Sequence, residues 1–318
     1  MTRDVARARG ARAAIGLAAL GLLAAVVPAS PDTPKRTVQE RLGHPAGARL
    51  LVIHADDLGM ARSVNRATFE AFEQGWITSA SVLVPCPWFP DVARFARTHP
   101  QADLGVHLAL NSEWTGFRWG PLSPVDEVPS LLDEDGYLPL VEPTVVARAK
   151  IPEVERARRA QGARARAAGL RISHLDAHMG TLLRSAPLFA AYRRLGAELG
   201  LPILVDRASE RPAGVSLSEA DVLIDQVLSI GPGVAIADWP AAYERMLAPL
   251  GPGVYQLIVH LAYDDEEMRG ATFDHPDWGA AWRQADRDLL KSARFRDFLR
   301  AQGFVLVSWA DLAPARTN

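Results

Sequence analysis

Apolar and polar positions follow two alternating rhythms along most of this chain. Short runs of aliphatic and β-branched residues predict strands at Leu50–Ala55, Ser79–Val84, Leu104–Leu110, Arg171–Ala177, Pro202–Asp206, Val234–Ala237, Tyr255–Leu261 and Phe304–Trp309. Between most of them, helical periodicity predicts helices at Ala61–Gln74, Pro87–Arg97, Val145–Ala168, Ala186–Leu199, Leu217–Leu228, Pro240–Leu250 and Trp278–Gln302. Seven or eight βα units without a break in composition predict an α/β fold, a single distorted (β/α) barrel over residues 49–318. Two stretches interrupt the rhythm, Asn111–Pro143 and Leu261–Trp278, and both follow predicted strands. In a barrel of this kind such insertions lie at the C-terminal face, where binding sites are built.

The first 30 residues stand apart. Arg3, Arg7, Arg9 and Arg12 precede an uncharged apolar run from Ala13 to Val27, and Val27-Pro28-Ala29 offers a cleavage site, so residues 1–30 are expected to be a signal peptide. The apolar run is shorter than the roughly 20 residues a spanning helix needs, which favours cleavage over a retained anchor and predicts an exported protein without stable membrane insertion. Residues 31–48, with their prolines, are expected to be a linker. The single cysteine, Cys86, excludes an internal disulfide and follows an apolar run, as a buried structural thiol would.

Composition adds little beyond exclusions. With 48% hydrophobic residues, 23% charged residues and a net charge of -2, the chain has the balance of a globular domain and no global attraction to nucleic acid. Only three of its 35 basic residues are Lys, so Arg clusters reflect compositional bias before function, including the basic stretch Arg148–Arg171, read as a solvated helix face. The acidic run Asp264–Glu267 either rims a cleft, caps the neighbouring segment or lies in solvated loop. A homodimer remains compatible with the sequence.

Chemistry concentrates at strand ends. The first strand ends in His54-Ala55-Asp56-Asp57-Leu58-Gly59, and since side chains alternate along a strand, Asp56 and Asp57 serve one site only if the chain bends, as Gly59 would allow. The third strand carries Gly105-Val106-His107-Leu108. On the fourth, His174, Asp176 and His178 share one face, and burying three such groups without partners would cost roughly several kcal/mol. If the first, third and fourth strands lie near one another, an Asp and two His converging at their C-terminal ends would suit a divalent ion with positions left open for water and substrate. His260, on a later strand, could supply a proton to a leaving group. Each signal alone has a plainer reading, an Asp pair as a turn element or a strand histidine as a core residue; their coincidence at strand ends favours function. His44 and His99 read as surface residues.

Taken together, His-Ala-Asp-Asp-Leu-Gly at 54–59, Gly-Val-His-Leu at 105–108 and His-Leu-Asp-Ala-His at 174–178 resemble the YdjC-like carbohydrate deacetylases, relatives of the polysaccharide deacetylases, from about Leu50 to Asp311. The resemblance implies metal-dependent removal of N-acetyl groups from an amino sugar or short oligosaccharide. It implies one divalent ion, zinc or magnesium, held by Asp57, His107 and His178, with Asp56 as general base and His260 as acid; Asp56 and Asp57 could exchange roles. Relatives often have Asn in place of His54, a further His in place of Gly180, and His-Pro-Gly in place of His260-Leu261-Ala262. Glu113, Trp114, Arg118 and Trp119, after the His107 strand, together with His174 and Asp176, are candidate sugar contacts, against the alternative of a loop packing its own aromatics. The rival functions are another metal-dependent barrel hydrolase, acting on a phosphoester or cyclic amide, and a catalytically silent sugar-binding protein.

Overall fold

A computed structural model describes residues 36–217 and 221–313. The expected signal peptide, residues 31–35 of the expected linker and residues 218–220 of the expected helix Leu217–Leu228 lie outside the described residues. Seven strands form one sheet: β1 (Arg49–Leu58), β2 (Ser79–Val82), β3 (Leu104–Leu108), β4 (Ile172–Ala177), β5 (Gln226–Leu228), β6 (Gly253–Val259) and β7 (Phe304–Leu306). Their order is β4-β3-β2-β1-β6-β5, with β7 also on β1, and every pairing is parallel. Parallel strands covered on both faces must be apolar almost throughout, and β1 is buried from Leu50 to Leu58. One edge of β1 is shared: Arg49–Leu51 pair with β7, and His54–Leu58 with β2. Among the described residues the sheet continues beyond β4 through isolated bridges, Leu175 with Ile203 and Asp206 with Ile224.

The helices are α1 (Val38–Arg41), α2 (Arg62–Glu73), α3 (Phe89–Thr98), α4 (Glu142–Arg148), α5 (Ile151–Ala167), α6 (Ala186–Leu199), α7 (Trp239–Leu247), α8 (Glu266–Ala271), α9 (Ala280–Lys291), α10 (Ala293–Ala301) and α11 (Trp309–Leu312). Two expected helices are each broken in two. Pro152 lacks an N–H and sits in the first turn of α5, which stops the expected helix Val145–Ala168 from running through. Ser292 ends α9 and caps α10, its Oγ accepting from the Phe295 N–H at 3.2 Å.

The expected alternation fails between Pro202 and Ala237. Pro202–Asp206 contributes only bridge residues, and the expected helix Leu217–Leu228 instead contains β5. Val222, Leu223 and Ile224 are all buried, an unbroken apolar run that suits a two-sided strand as well as a buried helix. Val234–Ala237 is no strand; it leads through a 3-10 turn into α7, with Ile236 exposed.

The main core lies between sheet and helices. A second cluster, Leu50, Val52, Ile224, Val254, Val307, Trp309 and Leu312, closes the N-terminal ends of the strands, and Val38 and Leu42 pack on it. Residues 36–48 therefore belong to the folded unit, and the expected linker is shorter on this side. Cys86 is buried and free, its thiol pushed up by burial and then by the charges of Asp57 and Glu113. Among the described residues no helix is long and apolar enough to cross a membrane.

The acidic run has a structural task. Asp265 caps α8, and Glu267 accepts from the Arg62 and Ser63 N–H groups at 3.2 and 2.8 Å, capping α2, whose own N-cap residue Ala61 offers no acceptor. The segment after β6 is thereby fastened to the helix after β1. Glu267→Ala should lower stability by about 1 kcal/mol in urea unfolding, with Glu267→Gln losing less; an unchanged midpoint for Glu267→Ala would mean that water replaces the cap.

Candidate active site

Because the strands are parallel, their C-terminal ends lie along one edge, and Asp56, Asp57, His107, Asp176, His178 and His260 all sit at or just past such ends. Asp57 itself makes the bend that brings two adjacent carboxylates to one place. Its φ of 65° is left-handed, and the pairing of β1 with β2 shifts register between Ala55 and Leu58. The expected hinge, Gly59, continues the turn at φ 97° rather than starting it. On β4, the chain leaves the strand at His178 through two further left-handed residues, Met179 and Gly180.

Three ligand atoms converge. Asp57 Oδ1 lies 3.5 Å from His107 Nε2 and 3.4 Å from His178 Nδ1, and the set spans no more than 4.8 Å. Asp57 Oδ1 is buried without a hydrogen-bond partner, as an oxygen reserved for a cation would be. The far nitrogen of each imidazole meets a carboxylate: His107 Nδ1 is 2.7 Å from Asp176 Oδ1, and His178 Nε2 is 2.8 Å from Glu113 Oε2. Such outer carboxylates orient ligand imidazoles and raise their basicity. Two other groupings, His54–His174–Asp176 and Asp56–His107–Asp176, also have the right residue types. Both oxygens of Asp176 are already engaged, by His107 and His54, and neither grouping lies wholly on the cavity. The residues present therefore fit one divalent ion, at Asp57, His107 and His178.

Electrostatics in the cluster run against burial. Burial would raise Asp57, but Arg283, whose Nη2 donates to Asp57 Oδ2 at 2.7 Å, and then His178 hold it well below the usual carboxylate range. Burial would lower His178, but Glu113 and Asp57 outweigh it and push it up to about 10. His107 is likewise raised against burial by Asp176 and Asp56. His54 Nε2 lies 3.2 Å from both Asp56 Oδ1 and Asp176 Oδ2, and these carboxylates lift it to about 9 although burial opposes them. His260 is lowered by burial, although the charges of Asp57 and Asp56 oppose this. Its backbone N–H donates to Asp286 Oδ2 at 2.9 Å, and its ring meets Trp278 edge-on at 5.2 Å.

A cavity of about 560 Å³ opens on this cluster, within the range of small-molecule sites. Asp56, Asp57, His107, His178 and His260 line it, with Leu183, Leu204, Val205, Val227 and Ile258 among its apolar walls. Of the expected sugar contacts, Glu113 and Trp114 line the cavity, and Glu113 also holds His178. The other four do not line it. His174 is a core residue stacked on Trp309 at 4.7 Å; Gly105 makes room for it, since a Cβ there would lie 2.3 Å from the ring. Asp176 stands behind His107. Arg118 bonds Asp133 and the Leu138 carbonyl, both at 2.6 Å, and Trp119 donates to the Asn111 carbonyl at 3.1 Å and packs against His178. Both hold the long loop together from inside.

Arg283, Asp286, His275 and Trp278 are site residues that sequence reasoning missed. Arg283, one of many arginines in a biased composition, is buried and donates to the Trp278 carbonyl at 2.6 Å as well as to Asp57. Asp286 Oδ1 accepts from Trp239 Nε1 at 2.7 Å and Tyr243 OH at 2.6 Å, and burial raises its carboxyl to about 6. A signal existed: both lie on the face of α9 that also buries Trp282, Leu289 and Leu290.

Comparison with known proteins places the chain in a family. The family model described as YdjC-like protein matches residues 50–301. A carbohydrate deacetylase of Thermus thermophilus is 35% identical over 268 residues, 82% of this chain and 92% of that one. A carbohydrate deacetylase of Brevibacillus brevis is 27% identical, covering 82% and 99%, and a chitooligosaccharide deacetylase of Serratia marcescens is 24% identical, covering 83% and 99%. Among solved structures, an Enterococcus faecalis protein described as a putative cellobiose-phosphate cleavage protein superposes with a TM-score of 0.70 at 23% identity, covering 84% of this chain and 99% of that one; it speaks for the fold.

Two outcomes test the centre. With His178 raised to about 10, its metal-free imidazole carries a proton near neutrality that a cation must displace, and the upward shift of His107 acts in the same direction. Affinity for Zn²⁺ should therefore rise with pH, by about one log unit or more per pH unit, and be lost in His107→Ala and His178→Ala; calorimetric titrations at several pH values measure this, and a pH-independent affinity would refute the ligand set. Asp286→Ala strands three donors and should cost on the order of 3 kcal/mol or more in thermal or urea unfolding.

Proposed function

The chain belongs to the YdjC-like family, and from that premise we propose that it is a metal-dependent carbohydrate deacetylase, removing the N-acetyl group from an amino sugar or short oligosaccharide. The observation that carries this reading is the convergence of Asp57 Oδ1, His107 Nε2 and His178 Nδ1 on a cavity that also receives a second carboxylate, Asp56, and a second imidazole, His260. Two imidazoles and a carboxylate are a donor set better matched to zinc than to magnesium, which prefers oxygen ligands. When bound there, such an ion would polarise the amide carbonyl and make water a stronger acid.

The remaining work falls to side chains. Asp57 is spoken for by Arg283 and its unpaired oxygen by the ion site, so Asp56 is the carboxylate free to accept the proton of the attacking water. His260, lowered by burial, gives up a proton readily once it has one, which suits donation to the departing amine nitrogen. Acetate and the free amine leave together. Charge around the cavity favours a neutral, hydroxyl-rich substrate: Glu113, Glu142 and Asp206 line it besides the central aspartates. Among the described residues Arg283 is its one Arg or Lys, and that guanidinium is held by Asp57 and the Trp278 carbonyl. A phosphoester would meet carboxylates where it needs cations. The Arg-bearing start and apolar run of residues 1–30 support export after cleavage.

Acetate release from N-acetylated sugars of increasing length tests the activity, and a metal-loaded protein that releases none would refute it. Asp56→Asn should keep the ion and lose about 10²- to 10⁴-fold in kcat; loss of the ion instead would mean that Asp56 is a ligand. Phosphorylated N-acetyl sugars should be turned over more slowly than their neutral counterparts, read as kcat/KM.

A further inference from the structure

His54 has no part in the scheme above, yet it sits inside it. The residue is fully buried on β1, and its Nε2 stands 3.2 Å from Asp56 Oδ1 and 3.2 Å from Asp176 Oδ2. Asp176 in turn presents its other oxygen to His107 Nδ1 at 2.7 Å. One imidazole nitrogen thus stands between two buried carboxylates that would otherwise repel each other, beside both the proton acceptor of the proposed reaction and the group behind a metal ligand. The two oxygens of Asp56 are thereby distinguished. Oδ1 faces His54 and the Ser81 hydroxyl, at 3.2 and 3.5 Å, whereas Oδ2 lies on the side of His107 Nε2, 3.8 Å away, toward the ion site.

We propose that His54 is a positioning residue: by donating from Nε2 to Asp56 Oδ1 and Asp176 Oδ2 it locks the Asp56 carboxylate so that Oδ2 faces the reacting water. This rests on the deacetylase reading of the site. A carboxylate attached by one short side chain rotates freely about its last bond unless one oxygen is tied, and a general base is effective only within hydrogen-bond reach of the proton it takes. The competing view is that His54 merely fills the core against His174, whose ring it meets edge-on at 5.0 Å.

Variants separate the two. His54→Leu keeps apolar volume and removes the donor, whereas His54→Gln keeps a donor at similar reach. In metal-loaded protein, His54→Leu should lower kcat for acetate release about 100-fold with KM within about twofold, and His54→Gln should recover most of it. Equal kcat in wild type and His54→Leu, or a metal-loaded His54→Gln as impaired as His54→Leu, would overturn the proposal. Counting ions per chain adds a further outcome: a second divalent ion in the wild type that disappears in His54→Gln would make His54 a ligand and overturn it too. Imidazole nitrogen NMR of the metal-loaded wild type decides even where His54→Leu does not fold. A protonated His54 Nε2 whose shift moves in Asp56→Asn supports the link, and an unprotonated or unresponsive Nε2 refutes it. That measurement needs no turnover, so a wild type that releases no acetate would sink the deacetylase reading while the NMR result still judges the His54 bridge.

Discussion

Pairing of buried charge governs this molecule. Asp56, Asp57 and Asp176 are all buried at the C-terminal ends of strands of one sheet, β1 and β4, an arrangement that would be strongly unfavourable if any carboxylate stood alone. None does. Asp57 is held by Arg283, Asp176 by His107 and His54, and Asp56 by His54. The oxygen of this trio that is buried without a hydrogen bond, Asp57 Oδ1, faces two imidazole nitrogens and completes a ligand set. Attraction among the members thus holds the cluster together while leaving a cation's place within it.

The partners come from far along the chain. Arg283 reaches Asp57 across 226 residues, and Asp286, on the same face of α9, holds the backbone of His260 together with Trp239 and Tyr243. The segment between His260 and α9 is tied down as well: Glu267 caps α2, and Glu70 on α2 accepts from Tyr263 at 2.7 Å and from Arg287. These contacts fasten the late part of the chain over the early strand ends. Rigidity of this kind suits a site in which small displacements of a base are costly.

Much of the fold is legible in the sequence because its rhythm is strong. The strands carrying Asp56, His107, Asp176 and the residues before His260 are each short, apolar and followed by a polar or glycine-bearing turn, so their positions can be read directly. Legibility ends between Pro202 and Ala237, where the apolar run Val222-Leu223-Ile224 satisfies both periods and the strand forms just after it, at Gln226–Leu228, through pairing with β6. The helix breaks at Pro152 and Ser292 were local signals masked by periodicity on either side. At the site, residue types and order were legible, but Arg118, Trp119, His174 and Asp176 have the right chemistry in places the cavity does not reach.

By itself, then, the sequence determined which strands end in ionisable groups and the family to which that order belongs, since both are properties of residues near one another along the chain. The tertiary structure alone decided which of two adjacent aspartates carries the unpaired oxygen, through the left-handed turn at Asp57. It alone assigned Asp176 and Glu113 to the backs of two histidines and brought in Arg283. Those outcomes depend on register between strands and on a helix returning from the end of the chain, and the energy of a buried charge is set by what lies within a few ångströms in space, whatever the distance in sequence.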